Sequence, residues 1–191
     1  GAPFLPSRTN NDDVFLNELE NLTKGSTVAV GGSQTLEEMG IKEALPKRED
    51  LTLYLRKPNQ TYADMEELYL KSFSADFYLM STDAITIDGE LFNIDGLGNR
   101  TAALIYGPKK VFVICGMNKV CPDLDSAIKR ARNTAAPENC IRLNKTTPCT
   151  KTGKCISCMS DDTICSQFVY TRHSGIPGRI HVILVGEFLG Y

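Results

Sequence analysis

Apolar and polar positions along this chain switch between a helical and a strand-like rhythm. Over 11–22, Val14, Leu16, Leu19 and Leu22 recur at mixed three-residue spacings among acidic and amide residues, which predicts a short amphipathic helix. "TVAV" then forms a brief unbroken apolar run, the mark of a buried strand. Behind a glycine turn, "GGSQTLEEMGIKEAL" puts Leu36, Met39 and Leu45 on one helical face, and Pro46 is expected to stop that helix. "LTLYL", "YADMEELYLKSF" and "ADFYLMS" continue as strand, helix and strand. Such alternation predicts a parallel sheet covered by helices.

"AITIDGELFNI" departs from it, because Asp88-Gly89 between two β-rich runs predicts a hairpin and so an antiparallel pair. "KKVFVICG" resumes the buried strands, "DLDSAIKRARNT" reads as a helix with Pro137 just beyond it, and "QFVYTRH" and "RIHVILVG" read as closing strands. The expected fold class is α/β, a mostly parallel open sheet flanked by helices with an antiparallel hairpin excursion. One domain over 1–191 is expected, carrying a cysteine-rich excursion at 146–166.

Length and charge narrow the function classes. At 191 residues and 42% hydrophobic, the chain can bury a sizeable core without disulfides. Its 21 Lys and Arg against 23 Asp and Glu leave no basic excess, which argues against a nucleic-acid or anionic-membrane binder. No apolar run reaches the roughly 20 residues of a membrane span, and "GAPFLPSRTN" lacks the apolar core of a signal peptide. Seven cysteines cannot all pair, so a reducing, cytoplasmic location is expected.

Three stretches carry candidate ligand chemistry. In "VGGSQT", Gly31 and Gly32 leave a strand and open a helix whose first N–H groups suit a phosphate or carboxylate, with Ser33 and Thr35 adding hydroxyls. The competing reading is an ordinary turn capped by Ser33. In "NIDGLGNR", Asn93, Asp95, Asn99 and Arg100 crowd around Gly96 and Gly98, glycines that permit positive φ and close approach to a ligand. Asp95 could act as acid or base and Arg100 could clamp an anion, or the two could pair across the glycines in a purely structural turn. A surface loop of this kind would tolerate Arg100→Ala without loss of the fold. In "CGMNKV", Asn118 and Lys119 follow a strand, where ligands of open α/β sheets bind. His181, within a strand, reads as structural and His173 as a loop residue. Neither a nicotinamide nor a flavin fingerprint is present, so neither cofactor is expected.

The fourth stretch, "PCTKTGKCISCMSDDTIC", spaces Cys149, Cys155, Cys158 and Cys165 as C-x5-C-x2-C-x6-C. A C-x-x-C pair lets two thiolates reach one metal, and Gly153 eases the turn. Structural zinc is the first expectation and an iron–sulfur cluster the second, with exposed thiols as the bland alternative. Cys115, Cys121 and Cys140 stand outside this segment in unrelated contexts, Cys115 as a buried small hydrophobe.

Taken together, "GGSQTLEEMG", the stretch from "SADFYLMS" through "CGMNKV", "AAPENCIRLNKTTPCTKTGKC" and "RIHVILVGEFLGY" resemble the lactate-utilisation (LUD) domain family over nearly the whole chain. The resemblance implies a fold similar to ribose-5-phosphate isomerase, glucosamine-6-phosphate deaminase and CoA transferases. It also implies that the first glycine loop holds an anionic group, with "NIDGLGNR" and "GMNK" near the same mouth. Some relatives serve a cytosolic system oxidising L-lactate to pyruvate beside iron–sulfur partner proteins. Two functions follow as expectations. One is an accessory component of that oxidation, binding a small anionic ligand or iron–sulfur subunits, as a monomer or a homo-oligomer. The other is a stand-alone enzyme on a sugar-phosphate, CoA-ester or folate-like substrate, with Asp95, Arg100 and Lys119 at its centre.

Overall fold

The computed structural model describes residues 22–191, so the helix expected over 11–22 lies, apart from Leu22, outside the described residues. Nine strands run in chain order as β1 (Thr27–Val30), β2 (Thr52–Tyr54), β3 (Phe77–Met80), β4 (Ala84–Thr86), β5 (Leu91–Asp95), β6 (Lys110–Gly116), β7 (Val120–Cys121), β8 (Gln167–Thr171) and β9 (Ile180–Val185). The described chain divides into two compact units: 22–81 with Ala102–Met117 and Ser174–Gly190, and Thr82–Thr101 with Asn118–His173 and Tyr191.

In the first unit, β2-β1-β3-β6-β9 form a sheet in which every neighbouring pair is parallel. The apolar runs read from the sequence are these strands, and Val28, Leu79, Phe112, Ile114 and Ile183 meet Leu36, Ile41 and Leu45 in one core. The helix Tyr62–Phe73 packs against β1 and β2. It starts at Thr61 because a reciprocal capping box with Asp64 satisfies the first orphan N–H groups. The helix expected to run up to Pro46 is instead two short ones, Gln34–Glu38 and Ile41–Ala44. Gly40 between them takes a left-handed φ of 67°, which breaks the ladder, and Pro46 sits inside a 3-10 turn rather than ending an α-helix.

Asp76, just before β3, accepts hydrogen bonds from the Thr27 backbone N–H (2.8 Å), the Thr27 hydroxyl (2.9 Å) and the Lys109 ammonium (2.6 Å). Lys109 first, then Thr27, hold its carboxyl down at about 2. A depressed carboxylate contributes stability that is present above its unfolded value near 4 and is lost as pH falls toward 2. Asp76→Asn is therefore expected to flatten the acid limb of a denaturation series between those pH values. An unchanged acid limb would show that Asp76 does not carry it.

The second unit holds the sheet β7-β4-β5-β8. Its β4–β5 pair is the hairpin expected at Asp88-Gly89, antiparallel, with Gly89 at φ 85° and its N–H bonded to the Thr86 carbonyl. β5 also pairs antiparallel with β8, and β4 pairs parallel with β7. Phe92 and Ile94 on one face of β5 pack with Ala84, Cys121, Ala127, Ala131 and Ala136. The period-two alternation of a strand turns Asn93 and Asp95 to the other face.

Pro137 does not end the helix that begins at Leu124. The α-helix Leu124–Arg130 passes into a π turn, Ala131–Ala135, and resumes as the α-helix Ala136–Arg142 with Pro137 in its first turn. Proline lacks the N–H for an ordinary i to i−4 bond and crowds the carbonyl four residues back. The wider turn resolves that conflict by letting Ala136 N–H reach the Ala131 carbonyl.

Candidate functional site

In the first unit the parallel strands end together, and loops at such ends are where open α/β sheets take ligands, at the point where strand order reverses. Gly31 and Gly32 leave β1 here, next to β3 on one side and β2 on the other. Neither glycine has a positive φ, so the turn does not demand glycine for conformation. Ser33 caps the following helix, its hydroxyl accepting from Leu36 N–H at 3.3 Å. Thr35 is fully buried, bonded to the Leu189 carbonyl and to Ser81, each at 3.3 Å. Arg56, just beyond β2, brings a guanidinium nitrogen 3.7 Å from where a Gly32 side chain would begin, and stacks over Tyr69. Sequence reading missed Arg56, whose only signal was its place at a strand end.

In the second unit, "NIDGLGNR" is no exposed loop at its start. Asp95 is the last residue of β5 and is 8% exposed. One carboxylate oxygen accepts from Gly98 N–H at 3.0 Å and the other from Thr101 N–H at 3.2 Å, so Asp95 anchors the start of the helix Asn99–Ile105. Arg100 lies 3.6 Å from the same carboxylate. It donates to the Asn93 side-chain oxygen at 2.6 Å, to the Ile94 carbonyl at 2.8 Å and to Asp83 at 3.4 Å. Asp83 in turn accepts from Ile94 N–H at 2.6 Å. Gly98 has the positive φ expected of this loop, 83°, whereas Gly96 does not. Asn93 is fully buried and its amide nitrogen has no hydrogen-bond partner. Asn118 and Lys119 lie in a 3-10 turn, Lys119 buried, with the Asn118 carbonyl accepting from Arg130. Asn93, Asp95 and Arg100 thus form one cluster, while Gly31, Gly32, Ser33 and Thr35 belong to the other unit.

The cysteine segment builds a cavity inside the second unit. About 190 Å³ in volume, it is lined by Cys149, Cys155, Cys158 and Cys165, and also by Cys140. The sequence sets Cys140 apart in an unrelated context, but the structure carries it on the helix Ala136–Arg142, beyond Pro137, into the lining of this cavity. Arg132, on the π turn, lines the same space and donates to the Cys155 sulfur at 3.4 Å and to the Ser157 hydroxyl. Its Nε is buried without a partner. All five thiols are free.

Ser157, between the two cysteines of the C-x-x-C pair, takes a left-handed φ of 56°, a strained choice for a residue with a side chain. That turn aims the Ser157 N–H at the Cys155 sulfur. Burial pushes the Cys155 thiol up, yet this N–H and Arg132 outweigh it and hold the thiol below its ordinary value. Burial pushes Cys165 up to about 11 and also raises Cys140, which shares a hydrogen bond with Cys149. Among the described residues, no three His, Cys, Asp or Glu side chains are placed to hold a single metal ion between them.

The LUD domain family model matches residues 7–185. The chain belongs to the LUD domain family. No curated protein matches it. Among solved structures, a DUF162 family protein from Deinococcus radiodurans is similar at 10% identity over 94% of this chain and 100% of that one, with a TM-score of 0.37. The eIF2B beta from Chaetomium thermophilum is similar at 22% identity over 60% of this chain, with a TM-score of 0.41. The Pyrococcus horikoshii OT3 translation initiation factor eIF-2B follows at 15% over 59% of this chain and a TM-score of 0.36. The LUD chain spans 44% of the former's length and 52% of the latter's.

Proposed function

We propose that this LUD-domain chain is a cytoplasmic accessory component of organic-acid oxidation, with L-lactate to pyruvate as the reaction its family resemblance suggests. In this reading it binds a small anion and iron–sulfur partner proteins and does not turn over substrate alone. The observation that carries it is the engagement of Asp95 and Arg100. A general acid or base needs a proton position facing substrate, and both Asp95 oxygens accept backbone N–H groups that fix a helix start. Arg100 is committed to Asn93, Ile94 and Asp83. The glycine turn at Gly31 and Gly32, with Arg56 beside it, supports capture of a carboxylate.

That same turn also favours the second reading, a stand-alone enzyme on a sugar phosphate, CoA ester or folate-like substrate. A thermal-shift series separates the two. Lactate or pyruvate at 100 times Kd should stabilise the chain by about 2.7 kcal/mol without turnover. Lactate-dependent reduction of an artificial acceptor should then require added iron–sulfur partners. Stabilisation by a sugar phosphate, CoA ester or folate, together with its conversion by the isolated chain, would replace the accessory reading with the second.

A further inference from the structure

We propose that the cavity bounded by Cys140, Cys149, Cys155, Cys158 and Cys165 is the binding site of an iron–sulfur cluster, ligated by Cys149, Cys155, Cys158 and Cys165 and contacted by Arg132. The site goes beyond the accessory reading and does not depend on it. Three features of the cavity select a cluster over a single ion. A tetrahedral zinc with Zn–S bonds of about 2.3 Å would gather its sulfurs around one point, roughly 3.8 Å from each other. These thiols instead line one space of about 190 Å³. A polynuclear guest fills such a space and a lone ion does not.

The second feature is Arg132. It already donates to the Cys155 sulfur, and its Nε lies buried and unpartnered in the cavity wall. Four thiolates leave a cluster net negative, and its inorganic sulfides are acceptors that a single zinc does not supply. The orphaned N–H and the guanidinium charge therefore match a cluster in both sign and hydrogen bonding. The third is the C-x-x-C turn. Ser157 holds a left-handed φ of 56° between the two cysteines, and its hydroxyl accepts from Arg132, so the turn that carries two of the ligands is tied to the same cation. Cys140, 1% exposed, lines the same cavity as a fifth thiol.

The test uses the 191-residue chain made in iron-supplemented cells, purified without oxygen and, where metal is sub-stoichiometric, reconstituted with ferrous iron and sulfide. Iron and acid-labile sulfide are expected in a ratio of about 1, with a broad visible absorbance that bleaches on reduction. Cys155→Ser and Cys165→Ser should each lose both. Cys140→Ala should keep them. Arg132→Leu should also keep iron and sulfide but move the reduction potential to more negative values, because it removes a positive charge and a donor to sulfur. A merely structural Arg132 would leave the potential unchanged. Should the serine variants fail to fold, the reconstituted native chain decides alone. One zinc per chain that iron cannot replace, or no uptake of iron and sulfide while all seven thiols titrate in the folded protein, overturns the cluster. Full cluster content in both serine variants, or its loss in Cys140→Ala, overturns the ligand set.

Discussion

Arg179→Met is expected to lower the melting temperature by roughly 10 °C. Arg179 is 5% exposed and precedes β9, and its guanidinium donates to the carbonyls of Leu104 (2.6 Å), Ala103 (2.8 Å) and Pro108 (3.0 Å), with Ile105 at 3.4 Å. The carbonyls of Ala103, Leu104 and Ile105 are among those the helix Asn99–Ile105 leaves orphaned at its C-terminal end, where the dipole also favours a cation, and Pro108 lies just beyond it. Methionine keeps the apolar stem and deletes every donor. Each buried carbonyl left unpaired costs about 1–3 kcal/mol, so the summed loss should exceed about 3 kcal/mol even if one or two find water. Differential scanning calorimetry on both proteins measures it. A shift within about 2 °C would mean that these carbonyls are solvated and that Arg179 does not hold the end of the helix.

Arg100→Ala is expected to destabilise the chain by about 3–5 kcal/mol, the usual cost of removing one partner from a buried charge pair. The Arg100 side chain is 14% exposed, and its removal strips Asp95, itself 8% exposed, of its cation and Asn93 of its donor. This reverses the expectation drawn from glycine content, that the loop would lie on the surface and tolerate the change. Urea denaturation of the native and variant chains decides between them. A stability change below about 0.5 kcal/mol, together with loss of anion binding, would return Arg100 to the role of a ligand clamp.

The contrast between those two arginines explains how far the sequence was legible. Apolar runs such as "TVAV" and "VFVIC" are strands because an uninterrupted β-rich run has one way to bury both its faces, and the Thr61–Asp64 capping box marks its helix start locally. The Asp88-Gly89 hairpin is equally local. Arg179 carried no such mark, since its partners lie about 70 residues away in sequence. Asp95 and Arg100 were legible as a pair, and even the structural alternative was visible. What was hidden was burial, which depends on β8 covering β5 from far along the chain.

The cysteine cavity divides in the same way. The C-x5-C-x2-C-x6-C spacing revealed four of its thiols, because they lie within one short segment of sequence. Cys140 was hidden because Pro137, which precedes it, reads as lying beyond the end of the helix, whereas Arg132 lies within the helix already expected. Pro137 ordinarily ends a helix, but a π turn absorbs the missing hydrogen bond and carries the helix onward, so Cys140 joins Arg132 in lining the cavity. Gly40 is the converse case, a glycine read as an ordinary helix residue that in fact breaks the helix.

X-ray absorption at the metal edge of the anaerobically purified chain tests the four-cysteine site most directly. The cluster account predicts an iron edge, with sulfur neighbours in the first shell and iron neighbours in the second. A zinc edge with a single sulfur shell at about 2.3 Å and no metal neighbour would contradict it.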